Sequence, residues 1–273
     1  MADRRLSAII AGLAVFLICA ILWDAFFTPS TRPRPPHGVV TVTDSAKPDS
    51  APPAPHADSV AAAPPTAHPA APPPAEQMSY IDQLARAETR RRLRASAGYT
   101  YLGEVVAESE DSALHRWDDR VSRPVRVWVP TGTAANFQPA FLDAVHSAFQ
   151  RWEEAGVPVR FDVDADSEHA EVRFRWKVQF DIDRTGQTDL NWDQEGRLLA
   201  GAVTIATFDP KGHPLSPDDV RVVALHEIGH LIGLDHSSDS SDVMFANTKV
   251  RDLSPRDVRT ALMLYHLAPG SVR

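Results

Sequence analysis

The stretch ALHEIGHLIGLDHS, Ala224 to Ser237, decides how this chain is read, because it sets His226, His230 and His236 around Glu227 and Gly233. Just upstream, Ser216 suits an N-cap and Pro217 the first helical position. Asp218 and Asp219 follow, where negative charge complements a helix N-terminus. The stretch is therefore read as helix. Residues four apart share a helix face, so His226 and His230 can aim imidazole nitrogens at one ion at about 2.0–2.1 Å. Glu227 lies one residue round from His226, displaced from a ligand position but within reach of a water on the metal. Gly233 can take the left-handed conformation that ends a helix sharply. The turned chain then brings His236 back as a third ligand. Three nitrogens leave a fourth position open, the arrangement of a catalytic rather than a closed structural zinc site.

The pattern His226-Glu227-x-x-His230-x-x-Gly233-x-x-His236 has five fixed positions and is expected by chance about 10⁻⁴ times in a chain this long. It resembles the H-E-x-x-H-x-x-G-x-x-H signature of the metzincin metallopeptidases. The run HEIGHLIGLDHSSDSSDVMF followed by LSPRDVRTALMLY is similar to the matrixin, or matrix-metalloproteinase, subgroup: Ser237 follows the third histidine, Met244 falls at the Met-turn, and a final helix opens at Ser254. The resemblance covers about Arg116 to Leu267. It implies an α+β metzincin-type zincin domain with a twisted mixed β-sheet, a backing helix, an active-site helix and a C-terminal helix. It further implies one catalytic Zn2+ on His226, His230 and His236, supported by Gly233 and Met244, with a zinc-bound water activated by Glu227 as general base for peptide hydrolysis. In relatives the substrate lies extended along the edge strand, here Gln187 to Trp192, with Gln187, Thr188, Asp189 and Leu190 as the candidate contacts. A primed-side pocket, beyond the scissile bond, is expected near Val222, Val223, Ala246 and Asn247.

The chain departs from the family in places. Phe245-Ala246 stands where Tyr-Pro is usual after the methionine. The one cysteine, Cys19, lies far from this domain, so the matrixin cysteine switch has no counterpart. The structural-zinc and calcium loops of animal relatives find no match. DVDADSEH, Asp162 to His169, is oxygen-rich, but a solvated acidic turn is the first reading and a Ca2+ site the lesser one. His115, His146, His169, His213 and His266 read as ordinary polar residues.

Upstream of the motif the patterning is that of a folded unit, expected over 113–268. RPVRVWVP alternates Val125, Val127 and Val129, a half-buried strand. PAFLDAVHSAFQRWEEAG places Phe141, Val145, Ala148, Phe149 and Trp152 at helical spacing, with Gly156 as the stop. VPVRFDV and EVRFRW read as strands, and GQTDLNW and LLAGAVTIATF as an edge-like and a central strand joined by the turn DQEG.

The first eighty residues differ in kind. Ser7 to Phe27 is an apolar run of about 20 residues, long enough as a helix for a bilayer core of roughly 30 Å and longer than a usual signal core. A transmembrane signal anchor is expected at 7–27, after a short tail, 1–6. Arg4 and Arg5 in that tail place the N-terminus in the cytoplasm and the domain on the extracytoplasmic side, periplasmic or extracellular. Residues 28–78 are dominated by Pro, Ala, Ser and His and read as a disordered linker, able to span up to roughly 150 Å. Residues 79–112 read as a basic helical stalk or pro-segment: Ile81, Leu84, Ala85 and Leu93 keep helical spacing among Arg86 and Arg90–Arg94. Contact with a membrane or other anionic surface, a pro-segment over the domain, and a solvated helix packed on its neighbour are its three readings.

The formal net charge of −8 argues against nucleic acid as a partner. The expected partners are a protein or peptide substrate and, through the N-terminal helix, a membrane. Nothing in the chain specifies an oligomeric state. Two other functions compete: an anchored binding or assembly protein with a non-catalytic zinc site, and hydrolysis of something other than a peptide. A structural zinc would favour four closed ligands, usually with cysteine.

Overall fold

The computed structural model describes residues 39–42 and 79–273. The expected tail and membrane helix, Cys19, and the proline-rich segment apart from Val39–Val42 lie outside the described residues. Among the described residues no helix is long and apolar enough to cross a membrane.

The architecture is α+β with a mixed sheet, in strand order β1-β6-β7-β5-β3-β4 among the described residues. Strand β3 (Arg120–Trp128) buries Val125 and Val127 and exposes Arg126 between them, the alternation of a strand with one face on the core. It runs parallel to β4 (Val159–Asp162) on one side and to β5 (Val172–Lys177) on the other. Strand β5 is parallel to β7 (Leu198–Ala206), and β6 (Gly186–Trp192) closes back on β7 antiparallel. The β6–β7 turn contains Gly196 at φ +78°, where a Cβ would lie 2.6 Å from the Gly270 backbone nitrogen, so both the conformation and the space demand glycine.

Strand β6 was expected to offer a free edge. That edge carries β1 (Val39–Val42) in antiparallel pairing, with Val40 opposite Leu190 and Val42 opposite Thr188. The described strand thus falls inside the segment read as linker. Four residues of VVTV have the β-branched composition that a strand favours.

Helix α3 (Ala140–Glu154) buries Phe141, Val145, Ala148, Phe149 and Trp152, the five positions whose spacing predicted it. Truncating a fully buried aromatic such as Phe149 to alanine would cost about 3–5 kcal/mol. It packs on α4 (Pro217–Leu231), the motif helix, which in turn lies against β6 and β7. Helix α5 (Pro255–His266) closes the domain. Both α4 and α5 begin with a capping box: Ser216 and Ser254 accept from the backbone of Asp219 and Asp257, whose carboxylates bond back to the cap nitrogens.

The 79–112 segment divides differently from its sequence reading. Helix α1 (Tyr80–Ala95) buries only Leu93, while Ile81 and Leu84 stay exposed, so the helix reaches the core only at its last turns. Arg86 and Arg90 donate to the carbonyls of Arg273 and Val272 at 2.8 and 2.7 Å. Helix α2 (Leu102–Glu108) belongs to the core itself: Tyr101, Leu102 and Val105 are buried in the same cluster as Leu264 and Val243. The domain core therefore begins before Ala113. A single turn-rich segment such as TYLGEVV shows too short an apolar period for its burial to be read from sequence. Short strands β2 (Ala113–Leu114) and β8 (Gly270–Ser271) pair antiparallel and tie the segment after α2 to the one after α5.

Candidate active site

The motif helix ends as its glycine predicted. Gly233 has φ +101°, and its N–H reaches the His230 carbonyl at 2.8 Å while Leu234 N–H reaches the Gly229 carbonyl at 3.0 Å, the pair of bonds of a Schellman motif. A side chain is excluded there twice over, because a Cβ would stand 1.9 Å from the His115 carbonyl oxygen. The last carbonyls of α4 are all engaged. Trp117 Nε1 donates to Leu231 O at 2.8 Å and Tyr265 Oη to Ile232 O at 3.0 Å, so none is left buried and unmet.

The turn brings the three histidines together. Each offers a ring nitrogen, and these nitrogens lie within 4.8 Å of one another. His226 and His230 are buried and His236 half-buried. His226 Nδ1 lies 2.7 Å from the Val243 carbonyl and His230 Nδ1 2.9 Å from the Leu234 carbonyl. Each Nδ1 must carry the proton to bond a carbonyl, which leaves each Nε2 as a lone pair. Those two Nε2 atoms face each other at 3.1 Å. Two lone pairs so placed repel unless a cation stands between them, and the spacing is close to that of two ligands on one ion at about 2.0–2.1 Å. The donor set therefore fits zinc.

Glu227 is 2 % exposed and sits beside this cluster. Thr188 Oγ1 is 2.5 Å from Glu227 Oε2 and 3.1 Å from its carbonyl oxygen. Gly186 lets the carboxylate approach β6, since a Cβ there would meet Glu227 Oε1 at 2.2 Å. Beneath the helix, Met244 is fully buried with its sulfur where a Cβ on Gly229 would be, 2.2 Å away. Its carbonyl accepts from Ser237 N at 2.9 Å, which joins the methionine turn to the residue after the third histidine.

The expected substrate residues divide. Val222, Val223, Ala246 and Asn247 line one cavity of about 240 Å³ together with His226 and Glu227. On β6, Thr188 and Leu190 point into the core, whereas Gln187 and Asp189 lie on the other face and bond one another at 3.0 Å. Thr188 is thus a partner of Glu227 rather than a residue open to a side chain of substrate. In the oxygen-rich turn, Asp166 accepts from the backbone of Glu168 and His169 at 2.9 Å each, a local use of its carboxylate.

Several contributors escaped the sequence reading. Glu104 on α2 accepts from Ser238 N at 3.0 Å and from Arg256 Nη2 at 2.6 Å. Arg256 also donates to Ser237 Oγ and to Asp242, each at 2.8 Å. Glu108, on the same helix, brings a carboxylate oxygen within 4.8 Å of a His236 ring nitrogen and of Asp235. Asp257 accepts from Val243 N at 2.9 Å and from Tyr101 Oη at 3.0 Å, holding the turn that leads into Met244. Burial pushes the Asp257 carboxyl above its ordinary range, against the pull of the backbone donors of Ser254 and Val243, and pushes the Tyr101 phenol well up. That a final helix opens at Ser254 was legible; that α2 would supply acidic partners to this loop had no local signal.

Comparison with known proteins agrees with this geometry. The matrixin family profile matches residues 130–266, half of the chain. Over 145 residues the chain is 28% identical to the probable matrix metalloproteinase 095L of Invertebrate iridescent virus 3, covering 48% of this chain and 39% of that protein. Over 78 residues it is 46% identical to metalloendoproteinase 1-MMP of Arabidopsis thaliana, covering 26% of this chain and 21% of that protein. The matched part thus spans well under half the length of either relative. With the motif helix, the methionine turn and the histidine cluster in place, the profile match settles descent: the chain belongs to the matrixin family, a family of zinc metalloproteases.

Proposed function

We propose that this protein is a membrane-anchored, zinc-dependent endopeptidase that hydrolyses peptide bonds of extracytoplasmic proteins, with His226, His230 and His236 as zinc ligands and Glu227 as general base. The observation that carries this reading is the convergence of three imidazoles beside a buried carboxylate held by Thr188. When bound, zinc supplies Lewis-acid polarisation of a carbonyl and lowers the pKa of water. Val243 O and Leu234 O keep two imidazoles in the tautomer that presents Nε2. Glu227 accepts the proton of the attacking water at a carboxylate oxygen and passes it to the amine leaving group. Thr188 holds Glu227 Oε2, so the carboxylate need not reorganise as it takes the proton. A substrate strand on β6 would take the place of Val39–Val42, since both use the same edge. The apolar run Ser7–Phe27 and the arginines before it support the anchor and the extracytoplasmic placement.

The test is hydrolysis of casein and of quenched peptides by the full chain, with and without chelator, on a sample whose zinc content is measured. Glu227→Ala should keep stoichiometric zinc and lose hydrolysis. A zinc-loaded wild-type chain that cuts no peptide would favour the binding-protein reading instead. Protease accessibility of the domain in intact cells and in opened ones tests the topology.

A further inference from the structure

The cavity beside Glu227 contains a cationic recognition group that no step of hydrolysis uses. Arg184, in the segment before β6, lines it with Lys249, from the segment after the methionine turn. Arg184 Nη1 donates to Gln187 Oε1 at 2.9 Å, and the guanidinium carbon stands 5.5 Å from the centre of the Phe180 ring. These two contacts fix the plane of the group. Its Nε is buried, and Arg184 makes no other side-chain hydrogen bond among the described residues, so it is the Nη groups that can meet a guest in the cavity. A guanidinium with most of its donors unpaired beside a cavity suits a ligand that supplies acceptors.

The chemistry of that ligand follows from the donors. A guanidinium edge presents parallel N–H groups matched to the two oxygens of a carboxylate. Lys249 adds a second positive charge to the same cavity. The carboxylates on the same cavity are Glu227 and Asp183, and Asp183 is exposed to water, which screens it. Val222 and Val223 provide apolar wall for the methylenes of a guest. We infer that this pocket selects an acidic side chain, aspartate or glutamate, on the substrate residue that follows the scissile bond, with Arg184 and Lys249 as the residues that read its charge. The inference rests on the peptidase reading above and names its substrate class.

The experiment uses the full, zinc-loaded chain and three quenched peptides that differ only at the residue after the scissile bond: glutamate, its near-isostere glutamine, and leucine. The kcat/KM for the glutamate peptide should exceed that for the glutamine peptide about tenfold, and the ratio should shrink as salt is raised. Arg184→Met keeps an unbranched stem over Phe180 and should bring the ratio close to one. Lys249→Glu, at an independent position, should invert it. Equal or better cleavage of the glutamine or leucine peptide by the wild type would overturn the inference, as would an unchanged ratio in both variants. Cleavage of none of the three by the zinc-loaded chain would instead overturn the peptidase reading beneath it.

Discussion

The Thr188 hydroxyl lies 2.5 Å from Glu227 Oε2, a short contact between the sheet and the motif helix that sets where the carboxylate can stand. Hydrogen bonds to charged groups contribute about 1.5–3 kcal/mol. Thr188→Val removes this one while keeping a β-branched side chain in the strand. The expected outcome is a fall in kcat of about 10- to 100-fold with zinc stoichiometry intact. A kcat within twofold of the wild type would show that Glu227 is positioned by other means.

Gly186 tests the same carboxylate from the other side. A Cβ there would meet Glu227 Oε1 at 2.2 Å, and the atom displaced is the end of a flexible side chain rather than backbone. Gly186→Ala should therefore cost activity far more than stability. Peptide hydrolysis should drop at least about tenfold while the unfolding midpoint moves by a few degrees only, since point substitutions that a side chain can accommodate centre near about 1 kcal/mol. Thermal unfolding and steady-state assays on one sample decide it.

Arg256 is 17 % exposed and Asp242 1 %, so this ion pair is nearly out of water. Arg256→Met would leave the Asp242 charge supported, among the described residues, by the hydroxyls of Ser237 and Ser254, each 2.5 Å away. Breaking a buried pair from one side costs about 3–5 kcal/mol. Denaturant unfolding should report a loss of that order, with zinc affinity also reduced because the loop behind His236 is released. The double variant with Asp242→Asn should recover part of the loss.

His115 stacks on Trp192 at 4.1 Å between ring centres, and burial lowers its pKa below the ordinary 6.5, with the nearby Asp111 opposing. The unfolded chain then takes up this proton more readily than the folded one. Stability contributed at this position is unaffected well above pH 6.5 and declines as pH falls through 6.5 toward the folded value. Titration of the His115 ring by NMR should give an apparent pKa under 6.5, and His115→Phe should show a shallower loss of unfolding midpoint on acidification. A ring that titrates above 6.5 would mean Asp111 outweighs burial.

Much of the domain is legible in its local sequence patterns. Phe141, Val145, Phe149 and Trp152 recur at helical spacing and are buried because one helix face must be covered. The Ser-Pro-Asp-Asp start of the motif helix and its Gly233 end are local chemistry: a cap, a ring with fixed φ, and a residue able to hold φ +101°. Local signals of this kind survive in one dimension because each depends on neighbours within a few residues.

The three histidines, the glutamate between them, the mixed α+β order of elements and the methionine below the site are all written in local spacing. Tertiary structure alone decided that Thr188 serves Glu227, that Glu104 and Tyr101 on the early helical segment brace the loop around the third histidine, and that Arg184 and Lys249 share one cavity. The physical reason is distance along the chain. These partners lie tens to more than a hundred residues apart, and no period, cap or turn couples positions that meet only when the sheet, the motif helix and the closing helix pack together.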